Sequence, residues 1–117
     1  MSETFSLTNT TKGKLPSLPF ADMKDTVLGE KYDLSLAFVT PEESQEFNKR
    51  YRQKDKPTNV LSFELTPNSG EIVICPDHAG EHSLGSLFIH GLMHLKGFEH
   101  GSTMENEERK IRERFGI

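Results

Sequence analysis

The sequence predicts one domain that contains both helices and strands. In some segments apolar residues alternate with polar ones, as in half-buried strands, and in others they recur every three or four residues, as in helices. A chain of 117 residues is large enough for a single modest core, so we expect residues 1–117 to form one domain. The hydrophobic fraction of 33% is low, which predicts that this core is thin.

The first half of the chain is predicted to form two strands and two helices. They are a short edge strand at residues 5–7, a helix at 20–28 that stops at Gly29, a strand at 34–38, and a helix that begins after Thr40. Residues 8–17 are predicted to form a loop. Thr40, Pro41 and Glu43 predict a capping box with proline in the first turn of the second helix.

The second half is predicted to form a hairpin and two more helices. The hairpin strands are residues 60–65 and 71–75, joined by a longer loop, and the second is apolar throughout and therefore central. Ser83 is expected to cap the third helix, which turns a stripe of leucine and phenylalanine towards the core. The last helix, at about 103–115, is amphipathic and is expected to cover the sheet or the third helix.

The third helix carries two histidines that predict a metal site together with a third histidine beyond it. His90 and His94 lie one turn apart on the same helix face. Gly97 can end the helix in a left-handed conformation, so that the chain turns back and brings His100 to the same point. Three imidazoles are a ligand set for a divalent transition metal, most often zinc, and they leave a fourth position for water or substrate. The pattern therefore predicts a catalytic metal site.

The end of the second helix carries the one basic cluster of the chain, formed by Lys49, Arg50, Arg52, Lys54 and Lys56. The net charge is −4, so binding of nucleic acid requires a local patch of this kind. Cations also interact favourably with a helix C-terminus, which leaves a structural role open. Beside a metal site, however, the cluster is typical of a phosphate-binding patch, because guanidinium groups match phosphate oxygens.

Composition argues against several classes of protein. Cys75 is the single cysteine, which excludes an intramolecular disulfide and predicts a cytoplasmic location. The first residues have neither the basic start nor the apolar run of a signal peptide. No apolar stretch approaches the roughly 20 residues that a membrane helix needs, so we expect no membrane partner.

Three sequence blocks follow one another in collinear order. They are YRQKDKPTNVLSF at residues 51–63, GEIVIC at residues 70–75 and HGLMHLKGFEH at residues 90–100. Together they resemble the YbeY family of bacterial endoribonucleases and rRNA maturation factors, over the chain from about residue 34 to its C-terminus. The third block is similar to that family's metal motif, H-G-x-L-H-L-x-G-Y-D-H. It departs from the motif at Met93, Phe98 and Glu99.

The resemblance implies an α+β fold, a small mixed sheet packed with helices and related to zinc-protease architecture. It implies a metal-dependent, single-strand-specific endoribonuclease that acts in rRNA maturation, particularly at the small-subunit 3′ end, and in ribosome quality control. The implied partners are single-stranded RNA, rRNA and the ribosome. The metal, zinc or alternatively nickel, would be held by His90, His94 and His100, and Arg52 is the family's other functional residue.

These residues predict metal-assisted cleavage of an RNA phosphodiester. The predicted catalytic residues are Arg52, which would clamp the phosphate, and Glu99, which would orient a ligand imidazole. Flanking phosphates would be held by Lys49, Arg50, Lys54 and Lys56. Attack by water and attack by the RNA 2′-hydroxyl are both open.

Two alternative functions fit parts of the same pattern. The histidine spacing matches the zinc-protease motif H-E-x-x-H-x-x-G-x-x-H, but Gly91 stands where the proteases have their general-base glutamate. The second alternative is a non-catalytic rRNA-binding assembly factor that uses the metal for structure. It would need a fourth protein ligand, for which His78, His82 and Cys75 are the candidates.

Overall fold

The computed structural model describes residues 4–117. Over this range the elements are β1 (Phe5–Asn9), α1 (Phe20–Leu28), β2 (Asp33–Phe38), α2 (Pro41–Arg52), β3 (Val60–Thr66), β4 (Ser69–Ile74), a 3-10 turn (Pro76–His78), α3 (Leu84–Lys96) and α4 (Ser102–Phe115). Each predicted helix and strand is present, although β1 extends to Asn9, two residues into the predicted loop. Within these residues no helix combines the length and the apolar character needed to cross a membrane.

The four strands form one mixed sheet in the order β1-β2-β4-β3. β2 pairs in parallel with β1 and with β4, whereas β3 and β4 form an antiparallel hairpin. This confirms the predicted fold class. β4 lies inside the sheet, and Ile72, Val73 and Ile74 are at most 1% exposed. Both faces of β4 are covered, which explains why its sequence is apolar throughout instead of alternating.

The hairpin loop is shorter than the sequence pattern predicted. Thr66 pairs directly with Ser69, so the loop contains only Pro67 and Asn68. The register of the two strands shifts between Glu64 and Thr66, as at a β-bulge. The expectation of a longer loop was wrong because part of the turn-forming sequence is used to extend the strands.

The two faces of the sheet pack against different helices. On one face, α1 and α3 cover the larger group of buried side chains, in which the Phe20 ring lies 5.8 Å from that of Phe38 and 5.1 Å from that of Phe88. On the other face, Phe47 of α2 packs against a small group of buried side chains: Val39, Leu61, Val73 and Cys75. α3 is therefore the central helix of the fold, and one of its ends carries the histidine motif.

Helix α2 begins with the predicted capping box. The backbone N–H of Glu43 donates to the Thr40 hydroxyl (3.3 Å), and the Glu43 carboxylate accepts from the Thr40 backbone N–H (3.1 Å). Further along the helix, two buried polar side chains bind the segment that follows it. Ser44 donates to the carbonyl of Thr58 (2.7 Å), and Asn48 donates to that of Lys56 (2.9 Å). These bonds hold residues 53–59 against α2 and so position Lys54 and Lys56, the part of the basic cluster that follows the helix.

Candidate metal centre and cleft

Three imidazoles converge at the C-terminal end of α3. His90 and His94 lie on the same face of α3, with their Nε2 atoms 3.1 Å apart. Gly97 has the left-handed φ of 106° and ends the helix, so that the chain turns and brings His100 to the same place. One potential ligand atom from each of the three residues lies within 4.8 Å of the other two. The predicted cluster is thus formed, and it can hold a metal ion.

Hydrogen bonds orient two of the three rings. His90 Nδ1 lies 2.9 Å from a carboxylate oxygen of Glu108, and His94 Nδ1 lies 3.2 Å from the carbonyl of Phe98. Because both partners accept, each Nδ1 carries the proton and each Nε2 presents its lone pair. This is the tautomer that binds a metal through Nε2, with the outer hydrogen bond fixing the ring.

The geometry fits a cation between the rings. Two lone pairs facing each other at 3.1 Å repel unless a positive charge lies between them. Two nitrogens that bind one tetrahedral zinc at about 2.05 Å are separated by about 3.3 Å, close to the observed spacing. The pKa of His94 is lowered from 6.5, first by burial and then by the neighbouring imidazoles of His90 and His100. His94 is therefore neutral near pH 7, as a metal ligand must be.

The histidine cluster, formed by His90, His94 and His100, opens into a cleft of about 690 Å³. Its walls are formed by α3, β3, the end of α2 and residues 53–59, the segment that Ser44 and Asn48 hold against α2. The lining residues are Asn48, Arg52, Lys54, Lys56, Thr58, Asn59, Val60, Leu61, Ser62, Glu64, His90, Gly91, His94, Leu95 and His100. The three imidazoles and three of the five basic residues predicted to bind substrate thus face one space.

Arg52, the last residue of α2, is fixed at this cleft by two contacts. Its Nη2 donates to the backbone carbonyl of Ser62 (2.8 Å), and its Cζ lies 5.7 Å from the centre of the Phe63 ring. Gln53 ends the helix immediately afterwards in a left-handed conformation, with φ 55°. The Ser62 bond uses one N–H of the guanidinium, and the remaining donors are available to a ligand.

The other predicted site residues lie outside the cleft. Lys49 and Arg50 are exposed on α2 and do not line it. Glu99 is exposed and makes no hydrogen bond to any of the three imidazoles. The carboxylate that binds a ligand imidazole is instead that of Glu108 on α4, which the sequence reasoning missed. Its helical spacing from the buried Met104 was the available signal, because it places Glu108 on the inward face of α4.

Within the described part of the chain, the histidine cluster offers three protein ligands for a metal ion. His78 and His82 are exposed and do not belong to it. Cys75 is buried in the small group of side chains under α2, and burial raises the pKa of its thiol. None of the candidates for a fourth ligand is therefore in place, which is the arrangement of a site that keeps a position open for water or substrate.

Gly91 lines the cleft but also contacts the core. A Cβ added at this position would lie 3.0–3.2 Å from three side-chain atoms of Ile72. The position that holds the general base in the zinc-protease motif is thus used for close packing of α3 on β4. The protease alternative consequently lacks its general base, and the position of that base serves the packing of α3 on β4.

Taken together, the fold and the site define a small α+β protein with a three-histidine cluster that can hold a metal ion and that faces a cleft lined with cationic side chains. Comparison with known proteins gives the particular family. Residues 17–116 match the family described as Endoribonuclease YbeY. The chain belongs to the YbeY family, as the three sequence blocks indicated.

Individual relatives agree with this assignment. A protein from Aliarcobacter butzleri named Endoribonuclease YbeY is 37% identical, over 92% of this chain and 85% of its own length. One of the same name from Rubrobacter xylanophilus is 46% identical, over 65% of this chain and 58% of its own length, so the match spans less than two thirds of that relative. A solution structure of a Thermotoga maritima protein has the same fold, with a TM-score of 0.63 and 24% identity, covering 96% of this chain and 89% of that one.

Proposed function

We propose that this chain is a metal-dependent endoribonuclease specific for single-stranded RNA. It would act in rRNA maturation, particularly at the small-subunit 3′ end, and in ribosome quality control, with residues 1–117 as one catalytic domain. One observation carries the proposal: the three-imidazole cluster opens into the same cleft as Arg52, Lys54 and Lys56. The names of the relatives support it. The proposed location is the cytoplasm, where rRNA matures and where the buried thiol of Cys75 stays reduced.

His90, His94 and His100 would hold the metal, for which zinc is the default and nickel the alternative. The chemistry supplied by a bound zinc is activation of water at neutral pH and polarisation of a phosphoryl oxygen. Glu108 holds the His90 ring in its metal-binding tautomer through the 2.9 Å bond to Nδ1. Glu99, at the exposed edge of the site, is kept as a candidate for orienting a ligand imidazole, the role that the sequence predicted for it.

Arg52 would bind the scissile phosphate and stabilise the negative charge that develops on its oxygens. The Ser62 bond holds its guanidinium in place before substrate binds, so little ordering is needed on binding. A donor of this kind contributes about 3 kcal/mol to stabilisation of the transition state. Lys54 and Lys56 would neutralise phosphates within the cleft, and the more distant Lys49 and Arg50 would attract the flanking RNA.

The test is cleavage of a short single-stranded RNA by metal-stripped proteins refilled with zinc, with bound zinc measured in parallel. We expect Arg52→Ala to keep its zinc and lose cleavage by a factor of about 100 or more. We expect His94→Ala to lose both zinc and cleavage. Arg114→Ala is the control, because it removes the same charge from an exposed position outside the cleft, at a residue with no proposed role in RNA binding.

Equal trace activity in all four proteins would mean that the cleavage comes from a contaminant. The chain would then be the non-catalytic rRNA-binding factor. The ends of the RNA products identify the nucleophile, because a 2′,3′-cyclic phosphate excludes direct attack by water. Cosedimentation of the protein with small ribosomal subunits tests the proposed site of action.

A further inference from the structure

A second cavity adjoins the histidine cluster at His90. Its volume is about 450 Å³, and it is lined by Asn59, Val60, His82, Ser86, Leu87, His90, Glu108 and Arg112. It shares Asn59, Val60 and His90 with the first cleft. The two cavities are therefore neighbours, and His90 and the first residue of β3 contribute to the lining of both.

The second cavity has the groups that bind a phosphate. Arg112 is partly buried on α4, and its guanidinium makes no hydrogen bond or ion pair with any residue in the range 4–117. The one carboxylate in the cavity, Glu108, lies four residues earlier on the helix, but its Oε2 binds His90 Nδ1 instead. Lys110, by comparison, pairs with Glu107 on the exposed side of α4. The guanidinium in the cavity is thus available to bind a ligand.

Further hydrogen-bonding groups complete the cavity. The imidazole of His82 and the side chain of Asn59 both offer N–H donors. Ser86 lies in the first turn of α3, where the positive end of the helix dipole favours an anion. A guanidinium with further N–H donors around it and a helix N-terminus beside it is suited to a phosphodiester, with space for a nucleoside next to it, and the Glu108 carboxylate is engaged by His90.

We infer that the RNA path continues across the histidine cluster into this second cavity. There Arg112 and His82 bind the nucleotide that lies on the opposite side of the scissile phosphate from Lys54 and Lys56. The inference rests on the proposed function. An enzyme that cuts within a chain must accommodate RNA on both sides of the cut, and the second cavity adjoins the first cleft at His90, a member of the histidine cluster. The role of Arg112 is to bind and position the substrate, away from the reacting atoms.

The test compares Arg112→Gln with Arg114→Gln. Both variants remove one arginine charge from the last turns of α4, but Arg114 is exposed and lies outside both cavities. The dissociation constant for single-stranded RNA is measured over a range of salt concentrations with the zinc-loaded protein. We expect Arg112→Gln to weaken binding about tenfold, as for loss of a charge-assisted hydrogen bond. The slope of log K against log salt should decrease by about 0.7, as for one lost contact to a single-strand phosphate.

Nested RNAs then locate the contact. Once the cleavage position is mapped on a long RNA, shortened RNAs are made by removing nucleotides from either the 5′ or the 3′ side of it. We expect the difference in RNA affinity between Arg112→Gln and wild type to disappear when the RNA is shortened on one side and to persist when it is shortened on the other. A general electrostatic effect would decline equally in both series. Bound zinc and thermal midpoint are measured for each variant, since Glu108 is a neighbour of Arg112 on α4.

Each outcome is decisive. If Arg112→Gln and Arg114→Gln bind and cleave RNA equally while Arg52→Ala loses cleavage, the second cavity is not part of the RNA path but the proposed function stands. If the wild-type protein neither binds nor cleaves single-stranded RNA, the proposed function fails and the inference fails with it. If Arg112→Gln shows the weaker binding, the smaller slope and the one-sided dependence on length, the cavity is a substrate subsite.

Discussion

The hydrogen bond between Glu108 and His90 provides a direct test of how the metal centre is held. The 2.9 Å bond joins a carboxylate that is 13% exposed to an imidazole that is 29% exposed, so water competes weakly for either group. It fixes both the tautomer and the orientation of His90. Removal of such an outer partner lowers metal affinity by about 10- to 100-fold, or about 1.4–2.7 kcal/mol. We expect the loss of zinc affinity in Glu108→Ala to lie at the upper end of this range. Glu108→Gln should lie near the lower end, because its amide oxygen still accepts a bond.

The assay is competition for zinc between the protein and a chromophoric chelator near neutral pH. Glu107→Gln is the matched control, since it removes a carboxylate from the adjacent position of the same helix, where the side chain is 38% exposed and pairs with Lys110. The thermal midpoint of each metal-free variant separates loss of affinity from loss of fold. If Glu108→Ala folds normally and binds zinc within about twofold of wild type, the outer hydrogen bond does not position His90 for the metal, and the reasoning is refuted.

Three further predictions concern stability. The pKa of His94 is lowered from 6.5 in the native protein. Below pH 6.5 the unfolded chain therefore binds more protons than the metal-free native protein, so the thermal midpoint should fall as the pH drops from 6.5 to the lowered pKa. The fall should be less steep in His94→Gln. In Gly70→Ala the new Cβ would collide with the Tyr32 hydroxyl, which we expect to cost about 1–3 kcal/mol in denaturant unfolding, whereas Gly13→Ala in an exposed bend should cost little. Lys24 is fully buried and donates to three backbone carbonyls, so Lys24→Met should destabilise the protein by at least about 2 kcal/mol, measured in the same way.

The features that the sequence predicted well are local ones. The Ser83 cap, the one-turn spacing of His90 and His94, and the left-handed Gly97 all depend on residues within a few positions of one another. The capping box at Thr40 is of the same kind. Because each device acts within one or two turns of helix, its sequence pattern is nearly sufficient to specify it. The convergence of the three histidines follows from two of these devices in succession.

The features that the sequence did not predict depend on how distant elements pack. Glu108 reaches His90 only because α4 folds back against α3, and amphipathicity alone does not specify that angle. Lys24 resembles an ordinary surface lysine in the sequence, yet it is buried beside Asp25, at 2.6 Å, and binds the carbonyls of the turn before β2. Its burial depends on the backbone of residues 29–32, which supplies acceptors that no side-chain pattern reports.

The arrangement at Gly91 explains how this fold separates the metal motif from protease chemistry. In the zinc-protease motif the residue after the first histidine reaches into the site as a base, but in this chain the Cβ direction at that position meets Ile72 at 3.0 Å. α3 can lie this close to β4 because the position is glycine, and that closeness places His90 and His94 beside β3 at the cleft that Arg52 also lines. A side chain at position 91 would bring its Cβ into tight contact with Ile72, which would have to shift to make room. Close packing thus favours glycine at this position, and the same packing brings the imidazoles and the guanidinium to one cleft.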